Sequence, residues 1–156
     1  CALGFSSGGH LSGLLGTTEG GTDPEFAGVS SRVDCAVSLA GDGDLTVPCE
    51  DDFWNDLFER VLGGTLAEQP ELYEAASPAH QVDEDTVPFL IVHGVDDADV
   101  PVEMSRSLVA ALSAAEKEFV YAEVPGDHGA FEDDESLWSL VDAFLARHLE
   151  PNAPHD

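Results

Sequence analysis

Basic residues are scarce in this chain of 156 residues, which has 5 lysines and arginines, 32 acidic residues and a formal net charge of −27. Nucleic acid is excluded as an expected partner, because its phosphates would be repelled. The acids are spread along the whole chain, so they repel one another at low salt and are screened over about 3 Å at 1 M salt. The composition therefore predicts a protein adapted to high salt, with an ordinary acidic surface or a surface for basic partners as alternatives.

Long apolar runs are also absent. No stretch reaches the roughly 18 apolar residues of a membrane-spanning helix, and the N-terminus lacks the basic and apolar segments of a signal peptide. These absences predict a soluble chain without membrane contact, and the cytoplasm of a salt-accumulating organism is the favoured location. The chain opens on Cys1 instead of methionine. We interpret that start as a cut, so the absence of a signal leaves the compartment unassigned.

Cysteine is rare as well, with 3 residues at Cys1, Cys35 and Cys49. The count is odd and no pair has the CxxC spacing, so neither a zinc site nor a disulfide framework is predicted. Cys35 lies in an apolar run and is expected to be a small core residue.

Short apolar segments alternate with helical patterns along the chain. The predicted strands are 2–4, 33–40, 87–93 and 118–124, and the predicted helices are 8–15, 53–62, 102–115 and 137–149. The second and third strands are nearly continuous apolar runs, which is typical of strands buried on both faces. The pattern predicts one α/β domain over residues 1–150, with a parallel sheet of about four strands flanked by helices, and a tail over 151–156.

The longest excursion between strands covers residues 42–84. Its helical pattern carries four large apolar residues, Phe53, Trp54, Leu57 and Phe58. We expect them to pack that helix against the core, and the alternative is that they cover a pocket.

The residues Gly4-Phe5-Ser6-Ser7-Gly8 match the pattern GxSxG between a short apolar strand and a helical pattern. In that context the serine lies in a sharp turn and is exposed at the edge of a sheet. Gly4 and Gly8 avoid the steric clashes that a Cβ atom would cause in such a turn. Ser6 is then a candidate nucleophile, and the backbone N–H of Ser7 is a candidate oxyanion donor at the helix N-terminus. The alternative is a turn whose serine only caps the helix.

A serine nucleophile needs a base and an orienting acid, which in such folds follow in the order Ser, Asp, His on loops after later strands. Asp97 follows the third predicted strand and His128 follows the fourth. His128 would take the serine proton, and Asp97 would hold its tautomer. Asp96 and Asp99 compete with Asp97 for the role of acid. His93, which ends a buried run, is expected to be structural.

The acids near these loops also raise the question of a metal site. Asp96, Asp97, Asp99 and Asp127 offer oxygen ligands but lack the spacing of a calcium-binding loop. No metal and no cofactor is predicted.

The GxSxG segment and several later stretches resemble the α/β-hydrolase fold serine esterases, in particular the feruloyl-esterase-like and prolyl-oligopeptidase-related group. The matching residues are 4–11, 62–65, 70–73, 76–78, 93–101 and 125–129, in an order and spacing that cover nearly the entire chain. The resemblance implies the C-terminal part of such a domain, from the nucleophile elbow to the last helix. It also implies Ser6 as nucleophile, His128 as base and Asp97 as acid, because Asp97 lies three residues before Val100-Pro101.

The function implied by the resemblance is hydrolysis of a small carboxylic ester through an acyl-enzyme. The alternatives are a related serine peptidase and a catalytically silent domain that binds or assembles. The family's first strands and its HGGG-type loop, which supplies a second oxyanion donor, are missing before Cys1. The first strand is therefore expected to be a bare sheet edge that pairs in a homodimer or with a missing N-terminal part.

Overall fold

The computed structural model describes residues 1–19, 25 and 30–149 of the chain. Four strands form one fully parallel sheet in sequence order: β1 (Ala2–Phe5), β2 (Ala36–Leu39), β3 (Phe89–Gly94) and β4 (Phe119–Val124). The helices are α1 (Ser7–Thr17), α2 (Asp52–Leu62), α3 (Pro70–Ala75), α4 (Val102–Ala114) and α5 (Glu135–Leu149), with a 3₁₀ turn at Pro78–His80. The predicted α/β fold with a four-stranded parallel sheet is confirmed. The predicted tail, 151–156, lies outside the described residues.

The core lies on both faces of the two central strands. Every residue of β2 and β3 is buried, as their continuous apolar sequences predict. On one face Val37 and Leu90 pack with Phe144 of α5, and on the other Ile91 packs with Leu108 of α4. Burying a side chain of this size contributes about 1.5 to 3 kcal/mol, so these two layers hold the sheet in place.

All four strands point the same way, so their carboxyl ends meet at one edge of the sheet. Ser6 follows β1, Asp97 lies in the loop after β3, and His128 lies in the loop after β4. The pairing register of adjacent strands brings these three loops to the same edge. The parallel arrangement of the strands therefore places the three candidate residues close together.

Strand β1 lies at one end of the described sheet and pairs with β2. Its Leu3 and Phe5 side chains are 46% and 39% exposed, which is unusual for large apolar residues in a strand. The predicted pairing of this edge with a second copy or with a preceding segment stays a prediction.

The excursion over residues 42–84 contains more regular structure than the sequence predicted. Helix α2 begins after Asp51, whose side chain accepts a hydrogen bond from the Phe53 amide at 2.8 Å. Helix α3 and the 3₁₀ turn were not predicted, because they span 6 and 3 residues and no side chain caps their N-termini. Segments this short carry no readable hydrophobic period.

Cys1 and Cys35 form a disulfide with their Cα atoms 4.5 Å apart, so the expectation of no disulfide was wrong. Cys35 is fully buried, as predicted, and Cys49 is a buried free cysteine. An odd count hid the bridge, because pairing depends on where the strands place the thiols and not on sequence spacing. The cytoplasmic location predicted above stays a prediction.

No described helix has both the length and the apolar character needed to cross a bilayer. The longest described helix, α5, has 15 residues, whereas a span needs about 20.

Candidate active site

Ser6 occupies a sharp turn between β1 and α1. Its backbone has φ 56° and ψ −124°, a conformation that residues with a Cβ rarely adopt. The Ser6 amide donates to the Leu39 carbonyl at 2.9 Å, which ties the turn to the end of β2. A Cβ at Gly4 would overlap the Gly8 carbonyl, so the turn closes only with glycine at position 4. This geometry is that of a nucleophile elbow.

Two details of the elbow differ from expectation. A Cβ at Gly8 would meet no described atom within 4 Å, so the predicted steric role of Gly8 was wrong. The close approach occurs one residue later, because a Cβ at Gly9 would lie 2.9 Å from the Gly41 Cα. Ser6 also makes no capping hydrogen bond to the described backbone of α1, which disfavours the alternative of a simple helix cap.

The three candidate side chains form one hydrogen-bonded chain. His128 Nε2 lies 2.9 Å from Ser6 Oγ, and His128 Nδ1 lies 2.7 Å from Asp97 Oδ2. Both distances fall in the range in which a base takes a proton and an acid orients the ring. The competing acids, Asp96 and Asp99, are exposed to solvent, whereas Asp97 is buried.

Asp97 is held by several donors besides His128. Its Oδ1 accepts hydrogen bonds from the amides of Asp99 and Val100, both at 2.9 Å, and its Oδ2 lies 3.1 Å from His93 Nε2. Burial alone would raise the pKa of Asp97, but the hydrogen bonds from His128, His93 and the Val100 amide outweigh it. The pKa is therefore held well below its ordinary value, and Asp97 stays ionised across the neutral range.

His93 is fully buried at the end of β3. Its Nε2 lies 2.8 Å from the Val100 carbonyl, which only accepts, so this nitrogen carries the proton. Its Nδ1 lies 2.7 Å from Ser105 Oγ and accepts the hydroxyl proton in the neutral ring. The structural role expected of His93 fits these bonds, but its contact with Asp97 was missed. The signal was available, because His93 closes the strand that leads into the acid's loop.

The ring of His128 is positioned by packing as well as by hydrogen bonds. The Phe5 ring lies 4.8 Å from the His128 ring, centroid to centroid. The hydrogen bond to Asp97 raises the pKa of His128 above its ordinary value, with partial burial acting against it and the charges of Asp97, Asp99 and Asp42 adding to it. The raised pKa makes His128 a stronger base, which holds an abstracted proton better.

The loops that carry Asp97 and His128 are in direct contact. The Asp96 amide donates to the Gly126 carbonyl at 2.9 Å. A Cβ at Gly94 would overlap the Asp127 carbonyl, so this approach depends on glycine at the end of β3. The distance between acid and base is thus set by backbone contacts and not by flexible side chains.

A cavity of about 340 Å³ opens beside the elbow. Ser6 and Ser7 lie at its mouth, and α2 forms one wall with Trp54, Leu57 and Phe58. These are three of the four large apolar residues of this helix, and Trp54 and Phe58 also pack against a buried cluster that contains Met104. The predicted packing and the alternative of a pocket cover therefore both apply. The fourth, Phe53, is 61% exposed.

Two polar residues of the cavity were missed by the sequence analysis. His10 Nε2 lies 2.6 Å from the Ala76 carbonyl oxygen. Because a carbonyl oxygen only accepts, His10 Nε2 is the donor of this hydrogen bond. Asp42 lines the same cavity and is 9% exposed. Asp42 follows β2, at the sheet edge that also carries Ser6, Asp97 and His128. That position is the sequence signal that could have identified Asp42.

The acidic loops do not assemble into a metal site within the described part of the chain. No group of three or more His, Cys, Asp or Glu side chains there is placed to hold an ion.

The chain was compared with known proteins. The family model BD-FAE matches residues 1–112. Esterase LipC of Mycobacterium tuberculosis is 37% identical over 136 residues, which cover 81% of this chain and 33% of LipC. The uncharacterized peptidase YtmA of Bacillus subtilis is 30% identical over 116 residues, covering 74% of this chain and 41% of YtmA.

Solved structures show the same fold. A truncated carbohydrate esterase from gut microbiota superposes with a TM-score of 0.82 at 27% identity, covering 94% of this chain and 58% of that one. The acylaminoacyl peptidase of Pyrococcus horikoshii superposes with a TM-score of 0.72 at 19% identity, covering 99% of this chain and 24% of that one, and shows the fold alone. The chain spans about a third of the length of LipC.

The match to the family model covers more than half of the chain and includes the nucleophile elbow and the acid's loop. The superposed esterase matches the fold of this chain over 94% of its length. This chain therefore has the α/β-hydrolase fold and belongs to the BD-FAE family.

Proposed function

We propose that the chain hydrolyses carboxylic esters through an acyl-enzyme formed on Ser6. The observation that carries the proposal is the hydrogen-bonded chain from Ser6 Oγ through His128 to the buried Asp97 carboxylate. A serine hydroxyl is a weak nucleophile alone, and this arrangement gives it a base that is itself oriented by an acid.

The reaction follows from the geometry. Ser6 Oγ attacks the ester carbonyl while His128 Nε2 takes its proton, and the carbonyl oxygen becomes an oxyanion. The Ser7 N–H at the start of α1 is the proposed donor to that oxyanion, with the helix dipole adding to its effect. His128 then gives the proton to the departing alcohol, which leaves the acyl group on Ser6. Water, activated by the same imidazole, releases the acid and restores the serine.

The relatives support this assignment at a coarser level, because LipC and two further matches from Mycobacterium tuberculosis, LipQ and LipM, are named as esterases or as a probable carboxylic ester hydrolase. A serine peptidase of the same fold is the second candidate, and the similarity to YtmA favours it. A silent binding domain is the third. The two enzymes share an activated serine, which the silent domain would lack.

Labelling with a fluorophosphonate separates an enzyme from a silent domain. We expect one adduct per chain, located on Ser6 by mass spectrometry, because the probe reacts only with a serine that has an activating base. The Ser6→Ala variant should remain unlabelled and Ser7→Ala should label normally. A folded wild-type chain without an adduct would favour the binding domain. Labelled chain that cleaves a peptide anilide faster than the matching ester would favour the peptidase.

Adaptation to high salt is a further part of the proposal. The net charge of −27 resists compaction at low salt, and counterions screen that repulsion. We expect the melting temperature to rise from 0.1 to 2 M KCl, by about 2 to 4 °C for each kcal/mol of repulsion that is screened. Sucrose of equal osmolality, which strengthens burial without screening charge, is the control. Equal melting temperatures at both KCl concentrations would contradict the salt adaptation.

A further inference from the structure

The cavity beside Ser6 lies on the side of the acyl group. His128 must deliver a proton to the departing alcohol, so the alcohol has to lie against His128. The cavity is lined by Ser6 and Ser7, which hold the carbonyl carbon and its oxygen in the proposed mechanism, but His128 is not among its lining residues. A substrate that satisfies both conditions extends its acyl chain into the cavity and its alcohol away from it.

Most of the cavity wall is apolar, with side chains of Leu45, Trp54, Leu57, Phe58 and Val61. Its volume of about 340 Å³ lies at the lower end of the range for small-molecule sites, about 300 to 1,000 Å³. These walls suit a short acyl chain and contribute no hydrogen bond. Apart from Ser6 and Ser7 at the mouth, the polar side chains of the lining are His10 and Asp42, which therefore provide the polar contacts inside the cavity.

Asp42 is a mostly buried acid whose carboxyl group accepts a hydrogen bond from its own backbone amide. It is 9% exposed, and no described side chain donates a hydrogen bond to its carboxyl group. His10 directs its Nε2 proton to the Ala76 carbonyl, and His128 directs its Nδ1 proton to Asp97. An acyl chain that fills the cavity takes water away from this carboxyl group, which is costly unless the ligand donates a hydrogen bond in its place.

We infer that Asp42 selects esters whose short acyl chain carries a hydroxyl group, because its mostly buried carboxyl group lines the largely apolar cavity beside Ser6 and accepts no hydrogen bond from a described side chain. This inference rests on the proposed function and specifies its substrate. A site built around a buried hydrogen-bonding group discriminates against an analogue that lacks the partner, because the group is then left unpaired.

The ionisation of Asp42 agrees with this role. Burial raises the pKa of its carboxyl group, although the nearby His10, its own backbone amide, His128 and His93 act in the opposite direction. Burial thus disfavours the charged form of this carboxyl group. A hydroxyl group can donate to the carboxylate or accept from the protonated acid, so it fits both forms.

The test compares two substrates that differ by one hydroxyl group, 4-nitrophenyl butyrate and 4-nitrophenyl 3-hydroxybutyrate. For each enzyme the ratio of kcat/KM for the hydroxybutyrate to that for the butyrate is measured, so that intrinsic reactivity cancels between variants. We expect Asp42→Ala to lower this ratio by about 10- to 100-fold relative to wild type, the range of a hydrogen bond to a charged group. Asp42→Asn keeps an acceptor and should give an intermediate ratio. Asp142→Asn, on the exposed face of α5, should leave the ratio unchanged.

The outcomes separate the inference from the function on which it depends. If both esters are hydrolysed in a Ser6-dependent way and the kcat/KM ratio is the same in wild type and both Asp42 variants, the role of Asp42 is overturned. The proposed esterase function would then remain. Folded wild-type protein, checked by circular dichroism, that hydrolyses neither ester would overturn both. A ratio that falls in Asp42→Ala and recovers in Asp42→Asn supports the inference, and the recovery excludes a general loss of folding.

Discussion

Ser6→Ala is expected to lower kcat for a short 4-nitrophenyl ester by about a millionfold, to the residual rate that substrate binding and the oxyanion donor supply alone. The physical reason is the loss of the only group in the triad that forms a covalent bond to the acyl carbon. Without Oγ, His128 at the same site has no hydroxyl to deprotonate. The measurement is release of nitrophenol in molar KCl.

The neighbouring serine provides the matched control. Ser7 starts α1, and the proposed mechanism uses its backbone N–H but not its hydroxyl group. Ser7→Ala should therefore keep most of the activity, within a few-fold of wild type. A Ser7→Ala variant as inactive as Ser6→Ala, with both folded, would show that the loss comes from the turn and not from the nucleophile.

A second comparison tests whether Ser6 and His128 act as one unit. His128→Ala alone should cost nearly as much as Ser6→Ala, and the double variant should be no slower than either single variant, because each change removes the same step. Losses that multiply in the double variant would contradict a shared step and argue against the hydrogen bond between them as the catalytic contact.

The elbow and the strands were predictable because their signals are local. Gly4 and Ser6 lie in five consecutive residues, and the steric need for glycine follows from the turn itself. The apolar runs of β2 and β3 are continuous because both faces are buried. Since parallel strands end at one edge, the loops with Asp97 and His128 could be expected beside Ser6 from their positions alone.

The rest depended on contacts between distant residues. The residues of the acidic loop alone left Asp96 and Asp99 as competitors, and only the family resemblance pointed to Asp97. The physical reasons for Asp97 are its burial and its contact with His128, which depend on the folded chain. The cavity is assembled from α1, α2 and the segment after β2, so Asp42 gains its role from residues such as Trp54 that are distant in sequence. The Cys1–Cys35 bridge likewise depends on the pairing of β1 with β2.

The acid's network suggests how the triad keeps its geometry. Asp97 Oδ1 is fixed by two backbone amides, and Oδ2 is shared between His128 and the buried His93. His93 Nε2 also lies 2.8 Å from the Val100 carbonyl, so its one proton is shared between that carbonyl and Asp97 Oδ2. His93 is thus a positioning residue, which reaches Ser6 only through Asp97 and His128.

Asp97→Asn is expected to lower kcat by about ten-thousandfold while the fold is retained. The asparagine amide can donate a hydrogen bond to His128 Nδ1, which favours the tautomer with the ring proton on Nε2. In that tautomer Nε2 cannot accept the proton of Ser6. His93→Asn is the matched variant and should cost much less, because it removes one of four donors to Asp97 and leaves its charge. Equal losses in the two variants would contradict a direct role for the carboxylate.

The pH profile of kcat/KM separates this electrostatic role from a packing role. Free His128 must be neutral to act as a base, so the rate falls as pH drops through its pKa, which the hydrogen bond to Asp97 raises above the ordinary value. Removing the carboxylate charge lowers that pKa, so the acidic limb of Asp97→Asn should move to lower pH even as the plateau falls. His93→Asn keeps the charge and should keep the position of the limb. If the acidic limb of the Asp97→Asn profile keeps the wild-type position, the group whose titration produces that limb is a residue other than His128.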